Sequence, residues 1–67
     1  MSIQSVIFDK NYWKIASARK WLKEHDMVPI KPVHITTNFY RFRIREPTFD
    51  IYNTKKLPNH IELILGR

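Results

Sequence analysis

The chain has no cysteine, a single glycine, only six acidic residues and no apolar run longer than three residues. Without cysteine it has neither a disulfide nor a thiolate metal site. One glycine, Gly66, is too few for a glycine-rich phosphate loop. Runs such as Val6-Ile7-Phe8 and Leu63-Ile64-Leu65 fall far short of the ~20 apolar residues that span a bilayer. No signal-peptide pattern opens the chain, so no membrane partner is expected. The three histidines, His25, His34 and His60, lack metal-cluster spacing, so neither metal nor cofactor is expected. Ser2, Ser5 and Ser17 sit in no recognisable nucleophile elbow. No spacing pairs the acids, and a pocket of enzymatic size would hollow out so small a core. These absences argue against an enzyme.

What is present has a globular balance: 43% apolar, 13% aromatic and 27% charged. Sixty-seven residues allow one domain, 1–67. A chain of that length buries only about 60% of its unfolded surface, so the core is thin. Twelve lysines and arginines against six acids leave a formal charge of +6.

Four prolines, Pro29, Pro32, Pro47 and Pro58, divide the chain. Ile3 to Phe8 is β-branched and aromatic and reads as a strand. Asp9 and Asn11 mark a turn. From about Lys14 to His25 the spacing predicts a helix. At 100° per residue Ile15, Ala18, Trp21, Leu22 and His25 fall within an arc of about 120°, the width of a core-facing stripe. On that stripe His25 is expected to be partly buried and hydrogen-bonded. The helix should stop near Asp26, because Pro29 cannot continue it and restricts Val28. Ile30 to Ile35 is extended, with Pro32 pointing to a sheet edge or a lead-in. Thr36-Thr37-Asn38 form a turn, and Phe39 to Arg45 is the strongest strand, closed by Pro47. Ile51 to Thr54 reads as a further strand, Lys55 to Asn59 as a turn, and His60 to Leu65 as a last strand. The expected fold is α+β: a small antiparallel sheet of three to four strands in β-α-β-β-β order, with one helix packed across it.

The stretch Tyr40 to Arg45 is the most informative for function. Successive strand side chains face opposite ways. Tyr40, Phe42 and Ile44 therefore share the face that seats under Trp21 and Leu22, and Arg41, Arg43 and Arg45 share the other. Alternate residues lie about 6.6 Å apart, so three cations that close need acids, water or an anionic partner. Two readings stand side by side. The guanidinium groups can track phosphates through planar, bidentate donors, or they can cover a solvent face and pair with Glu46, Asp50 or Glu62. Lys20 and Lys23 on the helix, and Lys55 and Lys56 in the turn, would extend the basic field, although a solvated helix face explains the first pair as well. Phe39 shares the arginine face if alternation holds through the turn; it can offer a stacking platform or cap the end of the sheet. Tyr12 or Trp13 can staple the start of the helix.

The segments Ser5-Val6-Ile7-Phe8-Asp9-Lys10, Trp13, Ala18, Trp21-Leu22-Lys23, His25, Phe39-Tyr40-Arg41-Phe42-Arg43 and His60-Ile61-Glu62-Leu63-Ile64-Leu65-Gly66-Arg67 together resemble a small domain. That domain recurs in proteins of tailed phages and of large DNA viruses of eukaryotes. The resemblance spans nearly the whole chain. Its motifs are mostly core-type aromatics, more specific for fold than for activity. It implies a viral or phage protein acting inside the host cell, in cytoplasm or nucleus, or in the virion. The sequence departs from the pattern at Lys14, where Ser or Thr commonly opens the helix, and at Asn59-His60, where Gly is common.

Two classes of function follow from these features. The first is a non-enzymatic module that binds nucleic acid, DNA ahead of RNA, through its phosphate backbone. Arg41, Arg43 and Arg45 would make the contacts, with Lys20, Lys23, Lys55 and Lys56 around them. The second is a protein-interaction or virion-assembly module that docks on a viral structural protein or on a second copy of itself, since Arg, Trp, Tyr and Phe are also enriched in protein interfaces. Inhibition of a host nuclease or transcription enzyme ranks below both, because mimics of DNA carry the opposite charge.

Overall fold

The computed structural model describes residues 2–46, 48 and 50–67. The first strand, β1, spans Ser2–Asp9, and the helix α1 spans Ile15–Glu24. Four more strands follow: β2 (His34–Ile35), β3 (Phe39–Arg43), β4 (Tyr52–Leu57) and β5 (Ile61–Gly66). All pair antiparallel in one five-stranded sheet of order β2-β3-β1-β5-β4. After β3 the chain crosses to the opposite edge of the sheet, and the β4–β5 hairpin then returns β5 to the flank of β1. The α+β class, the antiparallel sheet and the single helix are as the sequence indicates. The sheet has five strands rather than three to four, and the order gains one β.

Register fixes the two faces. Phe8 lies opposite Tyr40 on one side and Ile61 on the other, and Val6 lies opposite Phe42 and Leu63. These residues meet Ala18 and Leu22 of the helix, and the fully buried core is Val6, Phe8, Ala18, Leu22, Phe42 and Ile61. Phe8 is the hub. Its ring meets Trp13, Trp21 and Phe42 edge-on, at centroid distances of 5.1, 5.7 and 5.6 Å, the arrangement that sets a positive ring edge against a negative ring face. Of the two aromatics before the helix, Trp13 is the one that packs against the core; its Nε1 also donates to the Asn59 carbonyl at 2.9 Å. Tyr12 stays outside, stacked on His60.

The departures from the sequence pattern have local solutions. Lys14 occupies the N-cap without a side-chain hydrogen bond, so no side chain caps the helix start. At the other end Asp26 takes the left-handed backbone conformation, φ 57°. Its N–H donates to the Lys23 carbonyl and the Met27 N–H to that of Leu22, a Schellman closure made without glycine. The hairpin between β4 and β5 turns on Pro58-Asn59-His60, with His60 at φ 62° in the position glycine would favour.

Several expected boundaries shift. The helix is shorter by one residue at each end, and His25 becomes its C-cap. His25 is exposed rather than partly buried, because it lies past the last packed turn. Its Nδ1 lies 2.8 Å from the Trp21 carbonyl, a contact that requires hydrogen on Nδ1, since a carbonyl only accepts. Lys55 and Lys56 belong to β4 and not to the turn, because the three-residue loop already closes on the Leu57–Ile61 pair. The stop assigned to Pro47 lies outside the described residues; β3 ends earlier, at Arg43.

Phe8→Ala removes the ring that holds three others. The expected loss is about 3–5 kcal/mol, against a total stability of roughly 3–10 kcal/mol for a chain of this length. Thermal melting followed by circular dichroism should show no cooperative transition, or one lowered by tens of degrees; a melt within a few degrees of wild type contradicts the assignment of Phe8 as hub. Asp26→Gly should act the other way. It relieves a left-handed non-glycine residue and should raise stability by about 0.5–1 kcal/mol in a denaturant titration.

Candidate functional site

Among the described residues no helix or further strand packs on the sheet face away from the helix. Across its middle runs a register row of His34, Arg41, Ile7, Glu62 and Lys56. A neighbouring row holds Arg43, Ser5, Ile64 and Thr54, and Phe39 stands opposite Asp9 at one end. Phe39, Arg41 and Arg43 thus share one face of β3, while Tyr40 and Phe42 point to the helix. From Tyr40 to Arg43 the Tyr40 and Phe42 rings go inward and the two guanidinium groups outward, while the Phe39 ring shares the outward face.

It does not extend to Arg45. The Gln4 carbonyl accepts from both the Ile44 and the Arg45 N–H, at 2.8 and 3.1 Å. Two residues oppose one, a β-bulge, and the period-two alternation breaks before Arg45 can become a third rung. Gln4 is itself the extra residue of β1 against β5, where Ile3 pairs with Leu65 and Ser5 with Ile64. Its buried side chain closes the junction: Nε2 donates to the Arg45 carbonyl and Oε1 accepts from the Ser5 hydroxyl.

The other expected site residues separate. Lys20 and Lys23 are exposed on the helix, across the sheet from Arg41 and Arg43. Lys55 lies opposite Leu63 and so shares the helix side, whereas Lys56 lies opposite Glu62 on the open face. No single surface gathers all seven.

A different group comes together instead. Lys31, Pro32, His34, Arg41 and Arg43 line a cleft of about 420 Å³ with no acid in its walls. Its origin is the interrupted pairing along β3. The Ile30 N–H donates to the Arg43 carbonyl, and pairing resumes only at His34 opposite Arg41. Pro32 between them has no N–H to give. Lys31 and His34 were not singled out from sequence; the only signal was Pro32 in an extended segment beside a strand of arginines.

The acids go elsewhere. Among the described residues the ion pairs are Lys31–Glu46 and Lys56–Glu62, both at 3.9 Å, and neither includes an arginine. Glu62 is two strands from Arg41, about 9.6 Å, with Ile7 between them. Asp50 is engaged through its backbone N–H, which donates to the Arg67 carbonyl. Lys31 and Glu46 are both more than half exposed, a pair worth little in water. Two unit charges about 6.6 Å apart repel by roughly 0.6 kcal/mol in bulk water and about 2.5 kcal/mol at an effective dielectric of 20. An anion between Arg41 and Arg43 relieves that repulsion.

Among the described residues no three His, Asp or Glu side chains are grouped to hold a metal ion, and no helix is long and apolar enough to cross a membrane. A groove of about 450 Å³ beside the helix C-terminus is walled chiefly by Leu22, Met27, Val28 and Pro29, with Arg19 and Lys23 on its helix side. Fold and faces define a small α+β domain with one covered and one open sheet face. No protein-family model, curated protein or solved structure matches the chain.

Gln4→Met keeps the volume of the junction but strands the Ser5 hydroxyl and the Arg45 carbonyl. Stability should fall by about 1–3 kcal/mol in a urea titration. An unchanged midpoint would mean that the bulge holds without the side-chain amide.

Proposed function

We propose that the protein is a non-enzymatic module that binds nucleic acid through the phosphate backbone, using the open sheet face. The observation that carries this reading is the cleft in which Arg41 and Arg43, neither paired with an acid, stand with His34 and with Lys31, whose ammonium lies 3.9 Å from Glu46. Arginine forks match phosphate oxygens in pairs, and a net charge of +6 supplies long-range attraction. Contacts to phosphate carry no sequence information directly, so binding through them is expected to be strongly salt-dependent and weakly sequence-dependent. In the viral setting that the motif resemblance implies, a basic module of this kind engages the genome inside the host cell or in the virion.

The test is fluorescence anisotropy with labelled DNA and RNA over a salt series. The double variant Arg41→Gln with Arg43→Gln should weaken binding and flatten the slope of log K against log salt by about two contacts. Lys20→Gln with Lys23→Gln, across the sheet, should alter the slope little. No binding at low salt, or identical curves for wild type and the arginine variant, overturns the reading. A nuclease-treated preparation that sediments as a stable dimer with no affinity for nucleic acid favours a protein-interaction module instead, for which Val28, Ile30 and Ile35 offer exposed apolar side chains.

A further inference from the structure

Phe39 lies on the arginine face, two residues from Arg41, and 38% of its surface is exposed. Exposure alone would be ordinary, but this backbone position is held on both sides. The Phe39 N–H donates to the Thr36 hydroxyl at 3.0 Å, and its carbonyl accepts from the Thr36 N–H at 2.9 Å and hydroxyl at 3.1 Å. The turn is anchored in its own right. The Lys10 N–H donates to the Asn38 carbonyl and its Nζ to that of Thr36. The ring therefore sits on a backbone fixed before any ligand arrives, which lowers the ordering cost of a contact.

Charge along β3 is graded. Asp9 faces Phe39 in register, and the nearby Lys10 ammonium is engaged by the Thr36 carbonyl, so this end is less cationic than the Arg41–Arg43 end and suits an uncharged aromatic group. Two and four residues on, Arg41 and Arg43 open into the basic cleft. A second, smaller cleft of about 190 Å³ adjoins the ring, lined among others by Ile7, Asp9, Phe39, His60 and the ion-paired Lys56 and Glu62. The order along one strand is thus aromatic ring, cation, cation. A nucleotide has the matching order of base and phosphate. A duplex keeps its bases stacked inside and offers Phe39 no ring face without unstacking, whereas a single strand offers one at every residue.

We propose that the open face holds single-stranded nucleic acid along β3, with one base stacked on Phe39 and the neighbouring phosphate seated between Arg41 and Arg43. This rests on the backbone-binding reading and narrows its ligand class to the single strand.

The test compares labelled oligothymidylate and oligouridylate of about 15 nucleotides with a duplex of equal length at the same salt. Wild type should bind a single strand more tightly than the duplex, and the two oligomers distinguish DNA from RNA as the source. Phe39→Leu keeps an apolar side chain at the sheet end but removes the ring. It should weaken single-strand binding roughly tenfold and leave duplex binding and the melting temperature unchanged. Phe39→Tyr should restore the single-strand affinity. A Phe39→Leu protein that binds the single strand as wild type does, or that loses single strand and duplex alike, overturns the proposal. If the arginine double variant still weakens binding and flattens the salt slope in that case, the backbone reading stands and only the single-strand assignment falls.

Discussion

The edge-to-face packing of Phe8 is the contact on which the rest of the molecule depends. A thin-cored chain cannot bury both faces of a five-stranded sheet. It covers one, and it does so by meeting the Phe8 ring with Trp13 before the helix, Trp21 within it and Phe42 on the neighbouring strand. Trp13 ties the same cluster to the β4–β5 turn through the Asn59 carbonyl. Once these rings are committed to one side, alternation sends Ile7, Arg41 and Glu62 to the other. The open face is a by-product of where the aromatic residues went.

Local irregularity then shapes that face. A regular ladder would have placed three guanidinium groups in a row. The bulge at Gln4 limits the row to Arg41 and Arg43, because two N–H groups share one carbonyl where alternation should continue. On the outer side Pro32 interrupts pairing with β3, and the cleft lies at that interruption. Both devices are cheap in hydrogen bonds. Gln4 satisfies its buried amide with the Arg45 carbonyl and the Ser5 hydroxyl, and no buried side-chain nitrogen or oxygen atom among the described residues lacks a partner.

Much of this was readable from residue order. The helix, β1, β3 and β5 follow from patterns of apolar residues with periods of 3.6 and 2, and the edge position of the segment around Pro32 follows from its missing N–H. What was not readable depends on distant partners. Lys55 and Lys56 resemble turn residues until β5 is seen to pair beyond them. The bulge has no local signature, because Gln4 and Arg45 meet only through the fold. The same is true of the acids: Glu46 and Glu62 stood as candidate partners for the arginines, yet strand order delivers them to Lys31 and Lys56. The basic cleft draws on two segments that are about ten residues apart in sequence and adjoin only across the sheet edge.

A sheet roofed on one side alone also separates two kinds of selection. Substitutions beneath the helix are judged by whether the chain folds, because four rings share one contact there. Substitutions at Arg41 of β3 and Lys56 of β4 meet less of that filter, since both side chains are exposed. Such a domain can drift from one ligand to another through its bare side while its architecture stays the same.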